Sequence, residues 1–128
     1  MSYKIPLFQL NFGEEEINAV IETIRSKWIS TGPRCEELEQ LFVDMFKVKY
    51  AISMSNCTDA LHLACVLCDV QPGDEVLCPS LTFAASVNCI RYVGATPVFC
   101  DIVGPDHINI DPEDIKRKIT PKTKAIVV

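Results

Sequence analysis

Apolar residues in this chain keep two different periods. From Gly13 onward, Ile17, Val20, Ile21, Ile24 and Trp28 recur every three or four residues, which puts them on one face of a helix. Glu14, Glu15 and Glu16 fill its first turn, where negative charge suits the helix dipole. Ile-Ser-Thr-Gly-Pro at 29–33 breaks the pattern. A second amphipathic stretch follows, with Leu38, Leu41, Phe42 and Met45 expected inward and Glu36, Glu37 and Glu39 outward as a solvated face. Residues 1–12, with no helical period and with Pro6 removing a donor, predict an extended arm.

After Lys47 the period shortens. Residues 50–54 predict a strand, 59–68 a helix, Pro72-Gly73-Asp74 a turn and 75–78 a strand. Then 82–93 predict a helix, 97–102 a strand, 111–114 a helix start with proline in its first turn, and 124–128 a last strand. Strands alternating with crossover helices predict right-handed βαβ units, so the fold class is α/β with a largely parallel sheet buried on both faces. The expected division is residues 1–46, an arm and two helices, and 47–128, the start of an α/β domain. Ala125-Ile126-Val127-Val128 has the character of a buried central strand, and an open apolar edge invites aggregation. The chain is therefore expected to be the front part of a longer protein; the alternative is a short natural domain that ends on an edge strand.

Composition changes the picture modestly. At 128 residues, 48% hydrophobic and 23% charged, the chain can own a core and is not disordered. No apolar run approaches the roughly 20 residues that span a bilayer, and Met-Ser-Tyr-Lys-Ile-Pro lacks the apolar centre of a signal peptide, which predicts a soluble cytoplasmic protein. A net charge of −5 argues against nucleic acid or an anionic membrane as the main partner. The seven cysteines, odd in number and irregularly spaced, cannot form a complete disulfide framework. Cys65 and Cys68 lie in an apolar helical stretch without a second such pair, so they read as small hydrophobes rather than as metal or redox ligands.

The stretch Ser55-Asn56-Cys57-Thr58-Asp59-Ala60-Leu61-His62-Leu63-Ala64 carries the most chemistry. The first N–H groups of a helix lack intrahelical partners and sit at the positive end of its dipole, so a strand, a small polar turn and a helix make a phosphate cradle, with Thr58 placed to cap and to donate. On these residues alone a second reading stands beside it: Thr58 or Asp59 caps the helix and no ligand binds.

Five stretches in order resemble the N-terminal part of the DegT/DnrJ-type sugar aminotransferases, pyridoxal-phosphate (PLP) enzymes of the aspartate aminotransferase fold. They are 55–64, Pro72-Gly73-Asp74-Glu75-Val76, Pro79-Ser80-Leu81-Thr82-Phe83, Gly94-Ala95-Thr96-Pro97-Val98-Phe99-Cys100-Asp101 and Lys122-Thr123-Lys124-Ala125-Ile126. Trp28-Ile29-Ser30-Thr31-Gly32-Pro33 is similar to the family's early loop. The fold this implies is the N-terminal part of the large domain of a PLP-dependent transferase. The resemblance implies that pyridoxal 5'-phosphate is the cofactor, that the N–H groups of Thr58 and Asp59 and the Thr58 hydroxyl hold its phosphate, and that Phe83 stacks on its ring. Without the resemblance, Phe83 reads as a core aromatic. Cys57 stands in the cofactor-binding turn where the family usually has Gly or another very small residue; a position needing positive φ would tolerate it poorly. Trp28 and Thr31 are expected at the substrate mouth.

The family's Schiff-base lysine and the acidic partner of its pyridine nitrogen lie far downstream, outside these residues. Lys116, Lys118, Lys122 and Lys124 read as a solvated basic face; His62 falls on the helix beside the cradle and His107 in a loop. The implied activity is amination of a nucleotide-linked keto sugar with an amino-acid donor such as glutamate, for polysaccharide or antibiotic sugars, by a homodimer that shares its active sites. These 128 residues alone are expected to be inactive. Two alternatives remain: a naturally short non-catalytic relative that binds a phosphate ligand or a partner chain, and a PLP-dependent sugar dehydratase.

Overall fold

A computed structural model of the chain describes Ile5 and residues 8–128. The expected arm lies partly outside the described residues; from Phe8 to Phe12 the chain has no regular structure and is exposed. The described chain forms two compact units that meet in sequence between Ser53 and Met54.

The first unit holds α1 (Glu14–Ser26) and α2 (Pro33–Phe46). The Gly13 N–H donates to Glu16 Oε2 at 2.7 Å, which satisfies an orphan donor and holds the Glu16 carboxyl below its usual range. α1 ends where Lys27 turns left-handed (φ 61°), so Trp28 lies beyond the helix instead of on its apolar face. α2 begins with proline at its first position and ends at a left-handed Lys47. Both stretches are amphipathic helices, but the expectation that Leu38, Leu41, Phe42 and Met45 point inward fails, because all four are exposed. Neither helix has a buried residue: an amphipathic stripe is covered only when another apolar surface meets it, and two short helices do not cover each other's. Arg34 joins the helices, reaching Glu22 at 3.0 Å and Glu37 at 2.9 Å. Glu39 is more than a solvated residue, since it accepts the Ser53 N–H at 2.7 Å and the Ser53 hydroxyl at 2.8 Å, which lowers its pKa.

Residues 50–54 do not form the expected strand. They alternate as a strand does, with Ala51 and Ser53 half-buried and Tyr50, Ile52 and Met54 exposed. Among the described residues no neighbouring backbone lies alongside to form a ladder, and a strand is a paired state.

The second unit runs α3 (Cys57–Leu67), β1 (Glu75–Pro79), α4 (Ala85–Tyr92), β2 (Thr96–Cys100), β3 (Ile102–Gly104), β4 (His107–Ile110), α5 (Pro112–Lys118) and β5 (Thr123–Ile126). Three strands form a parallel sheet in the order β2-β1-β5, with Leu77 of β1 opposite Val98 and Ile126. Val76, Leu77 and Cys78 are fully buried, and Val76 and Cys78 pack with Cys65 and Val70 at the end of α3, Cys89 and Ile90 of α4, and Ala95. The α/β class with a parallel sheet therefore holds. Among the described residues β5 pairs with β1 alone, half-buried at Thr123 and Ala125 and exposed at Lys124 and Ile126. α4 starts at Ala85, later than expected, since 80–84 form the loop out of β1.

The expected strand at 97–102 ends at Cys100, and an antiparallel hairpin, β3–β4, follows that the sequence reading missed. His107, expected in a loop, is the first residue of β4. The corner between β2 and β3 is tied to α5 by Asp114, a carboxylate only 5% exposed. It accepts the Asp101 N–H at 2.6 Å, Lys118 Nζ at 2.8 Å and Arg117 at 3.0 Å, and these bonds, Lys118 first, bring its pKa down to about 2. All seven cysteines are free; burial pushes the Cys65 and Cys78 thiols up to about 11.

Candidate functional site

The turn before α3 is built around Asn56. Its backbone is extended (φ −164°, ψ 166°), and its Oδ1 accepts the Asp59 N–H at 2.9 Å, so Asn56 is the N-cap and Cys57 the first helical residue. Capping by Thr58 or Asp59 is thereby corrected. Asparagine caps well because its short side chain reaches the third helical N–H; that signal, three residues before Asp59, was open to the sequence reading. Asp59 turns its carboxylate back on the turn, where Oδ2 accepts the Ser55 hydroxyl at 2.6 Å and Asn56 Nδ2 at 2.8 Å.

Two donors remain. Among the described residues the N–H groups of Cys57 and Thr58 have no acceptor, while that of Asp59 is committed to Asn56 and that of Ala60 to the Asn56 carbonyl. The free pair is shifted one residue toward the N-terminus of the pair expected, because the cap falls at Asn56. Cys57 is exposed and not among the residues with positive φ, so no left-handed backbone calls for glycine at this position. Thr58 is half-buried. A dianion meets here two free main-chain donors and the positive end of an eleven-residue helix, which fits a phosphate ester.

Phe83 belongs to the same end of the sheet. α3 feeds β1 through the Pro72-Gly73 turn and packs on it through Cys65 and Val76, so it runs antiparallel to β1 and its N-terminus lies at the sheet's carboxyl edge. β1 delivers the loop 80–84 to that edge, where open α/β sheets bind their ligands. Phe83 is 79% exposed, which overturns the reading of a core aromatic. An exposed ring at the same edge of the sheet as two free N–H donors suits a flat phosphorylated ligand.

Trp28 and Thr31 meet each other within the first unit. Trp28 Nε1 donates to the Thr31 carbonyl at 2.9 Å, and the indole lies over Gly32, where an added Cβ would fall 2.1 Å from Nε1. With Ile29, Ser30, Pro33 and Arg34 the indole lines an open groove.

The remaining candidates are structural. His62 packs edge-on to Tyr92 at 5.4 Å, joining α3 to α4. The basic face is less solvated than expected: Lys118 also donates to the Phe99 carbonyl at 2.7 Å, Lys116 pairs with Glu113 and Lys124 with Asp69. Among the described residues no cluster of His, Cys, Asp and Glu could hold a metal ion, and no helix is long and apolar enough to cross a membrane.

Known proteins share this arrangement. Over 127 residues the chain is 42% identical to the spore coat polysaccharide biosynthesis protein SpsC of Bacillus subtilis, covering 99% of this chain and 31% of SpsC. Among solved structures it resembles Spr1654 of Streptococcus pneumoniae, a proposed sugar aminotransferase known in PLP, PMP and apo forms (TM-score 0.84, 38% identity, 97% of this chain and 31% of that one). The aminotransferase TlmJ of Streptoalloteichus hindustanus is similarly near (0.86, 40%, 97% and 34%). A GDP-4-keto-6-deoxymannose-3-dehydratase with a trapped PLP-glutamate geminal diamine shares the fold at 26% identity (0.84, 94% and 33%). The chain thus spans about a third of the length of these relatives. The profile of the DegT/DnrJ/EryC1/StrS aminotransferases matches residues 11–128, which takes in both N-terminal helices, the cradle and the whole parallel sheet, and the chain belongs to that family.

Proposed function

We propose that this chain supplies the phosphate and ring contacts of a pyridoxal 5'-phosphate site in an aminotransferase that converts a nucleotide-linked keto sugar to an amino sugar, with an amino acid such as glutamate as donor. The observation that carries this reading is the pair of unpartnered N–H groups, Cys57 and Thr58, at the start of α3. Cys57 and Thr58 hold the phosphate through main chain, and the Thr58 hydroxyl adds a donor beside them. Asp59, although part of the same turn, serves by fixing Ser55 and Asn56, which keeps its negative charge bonded and away from the anion. Phe83 covers one face of the ring and keeps it flat and shielded from water. Trp28 and Thr31 form the substrate mouth. When bound, the cofactor supplies an electron sink for moving an amino group.

Lys116, Lys118 and Lys124 are each held by a carboxylate of their own unit, which supports the view that the cofactor's anchoring lysine comes from elsewhere and that these 128 residues alone do not turn over. Completion of the site as a homodimer in the cytoplasm, in polysaccharide or antibiotic sugar synthesis, belongs to the same proposal. A dehydratase is the second reading, favoured by the dehydratase of the same fold.

The test is a spectral titration, with pyridoxal phosphate, then glutamate and then a keto-sugar nucleotide, of the longer protein of which these 128 residues are proposed to be the front part. The reading expects saturable binding and conversion of the cofactor to its amine form by glutamate, with amino sugar as product. Absence of saturable binding would overturn it; a deoxy product without nitrogen would move the function to dehydration.

A further inference from the structure

The loop that carries Phe83 has little to hold it. Residues 80–84 join β1 to α4, and the Phe83 ring, 79% exposed, gains almost nothing from packing. α4 begins without a side-chain cap, because the residue before it, Ala84, has none to offer. The loop's main-chain bonds lie at its two ends: Ser80 N–H to the Cys100 carbonyl at 2.8 Å, Ser86 N–H to the Phe83 carbonyl at 3.0 Å, and Val87 and Asn88 N–H to the Ala84 carbonyl.

One side-chain bond crosses it among the described residues. Thr82 Oγ1 and Ser86 Oγ lie 2.8 Å apart. Ser86 is buried, at 9% exposure, on the rigid first turn of α4 beside buried Ala85. A buried hydroxyl left unpaired is costly, so the bond holds Thr82 to α4 and fixes the backbone direction of the next residue. That next residue is Phe83.

We infer that Thr82 is a positioning residue for Phe83: its hydroxyl, paired with Ser86, sets the direction in which the ring is offered to the cofactor. The inference rests on the reading that Phe83 stacks on pyridoxal phosphate. The hydroxyl itself touches no ligand. It restricts the loop before binding, so less conformational freedom is lost when the ring is covered.

The experiment uses the longer protein of which these residues are proposed to be the front part, and four variants, Thr82→Val, Thr82→Ser, Ser86→Ala and Phe83→Leu. Three readouts are taken: the dissociation constant for pyridoxal phosphate, the circular dichroism induced in the bound cofactor, and amide exchange of residues 80–84 in cofactor-free protein. Thr82→Val and Ser86→Ala are expected to weaken binding about fivefold to tenfold, the effect of one hydrogen bond. They should also change the induced band and speed exchange in the loop. Thr82→Ser, which keeps the hydroxyl, should match the parent on all three. Ser86→Ala leaves Thr82 facing solvent and strands no buried group, so it carries the test if Thr82→Val fails to fold. If Phe83→Leu weakens binding while Thr82→Val and Ser86→Ala do not, the positioning role is overturned and the stacking survives. Should Phe83→Leu itself leave affinity and dichroism unchanged, the stacking reading fails and the positioning role goes with it. A Thr82→Ser variant as impaired as Thr82→Val would also overturn the inference.

Discussion

The cradle can be dismantled one donor at a time, because its donors are main-chain groups and proline removes one without removing the helix. Cys57 is the position for this. It is the first residue of α3, where proline is favoured in helices, and Asn56 before it is already in the extended region that a following proline demands. Cys57→Pro should therefore keep the fold and the Asn56 cap while deleting one of the two free N–H groups. A hydrogen bond to a charged acceptor contributes about 1.5–3 kcal/mol, so affinity for pyridoxal phosphate should fall by roughly tenfold to a hundredfold. Cys57→Ala retains the N–H and should bind as the parent does. Pyridoxal, identical but for the phosphate, should bind parent and proline variant equally. The assay is an equilibrium absorbance titration of both ligands, with a thermal melt to show that the variants are folded. A folded Cys57→Pro protein that binds pyridoxal phosphate as tightly as Cys57→Ala would refute the assignment of that N–H to the phosphate.

Other features give narrower predictions. Gly32→Ala forces the indole of Trp28 off its seat and breaks the 2.9 Å bond to Thr31, a loss of about 1 kcal/mol. Trp28 is the single tryptophan, so its emission should shift to longer wavelength and its quenching by acrylamide should rise; an unchanged spectrum would contradict the contact. Gly94 and Gly73 both have positive φ, and alanine at either should cost about 1–2 kcal/mol in urea unfolding. Gly94→Ala should be the worse of the two, because its Cβ falls 2.9 Å from Pro72 Cγ while that of Gly73 meets open space. Asp114, with a folded pKa of about 2 against about 3.9 unfolded, adds stability that is complete above the unfolded value and disappears as pH falls through the folded one. Melting of the parent should drop steeply between about pH 4 and 2, and Asp114→Asn should lose that part of the slope.

The sequence showed the helices and the parallel sheet because each carries its own signal: a three-to-four repeat from Ile17 to Ile24, a capped start at Asp111, and an apolar run at 76–78. It misjudged features that depend on distant neighbours. Residues 50–54 have the composition and alternation of a strand, but pairing needs a second backbone that no local pattern supplies. The hairpin at 102–110 was overlooked although Gly104-Pro105-Asp106 is a turn signal with Ile102, Val103, Ile108 and Ile110 around it. The turn before α3 was legible at 55–59, but its cap is Asn56 rather than Thr58 or Asp59. The exposure of Phe83 was not legible, because an exposed aromatic has no sequence signature of its own.

The position of β1 between β2 and β5 also sets a timetable for assembly. During synthesis its first partner, β2, is complete once Cys100 has been made, but its other edge waits for residues 123–126. At about 5–20 residues per second, the 44 residues that follow Pro79, up to and including Thr123, take roughly 2–9 s to make. For that interval the most deeply buried strand of the sheet has an unpaired side. The nascent chain therefore passes through a stage in which Val76, Leu77 and Cys78 are available to other chains, and ribosome-associated chaperones have a few seconds in which to matter.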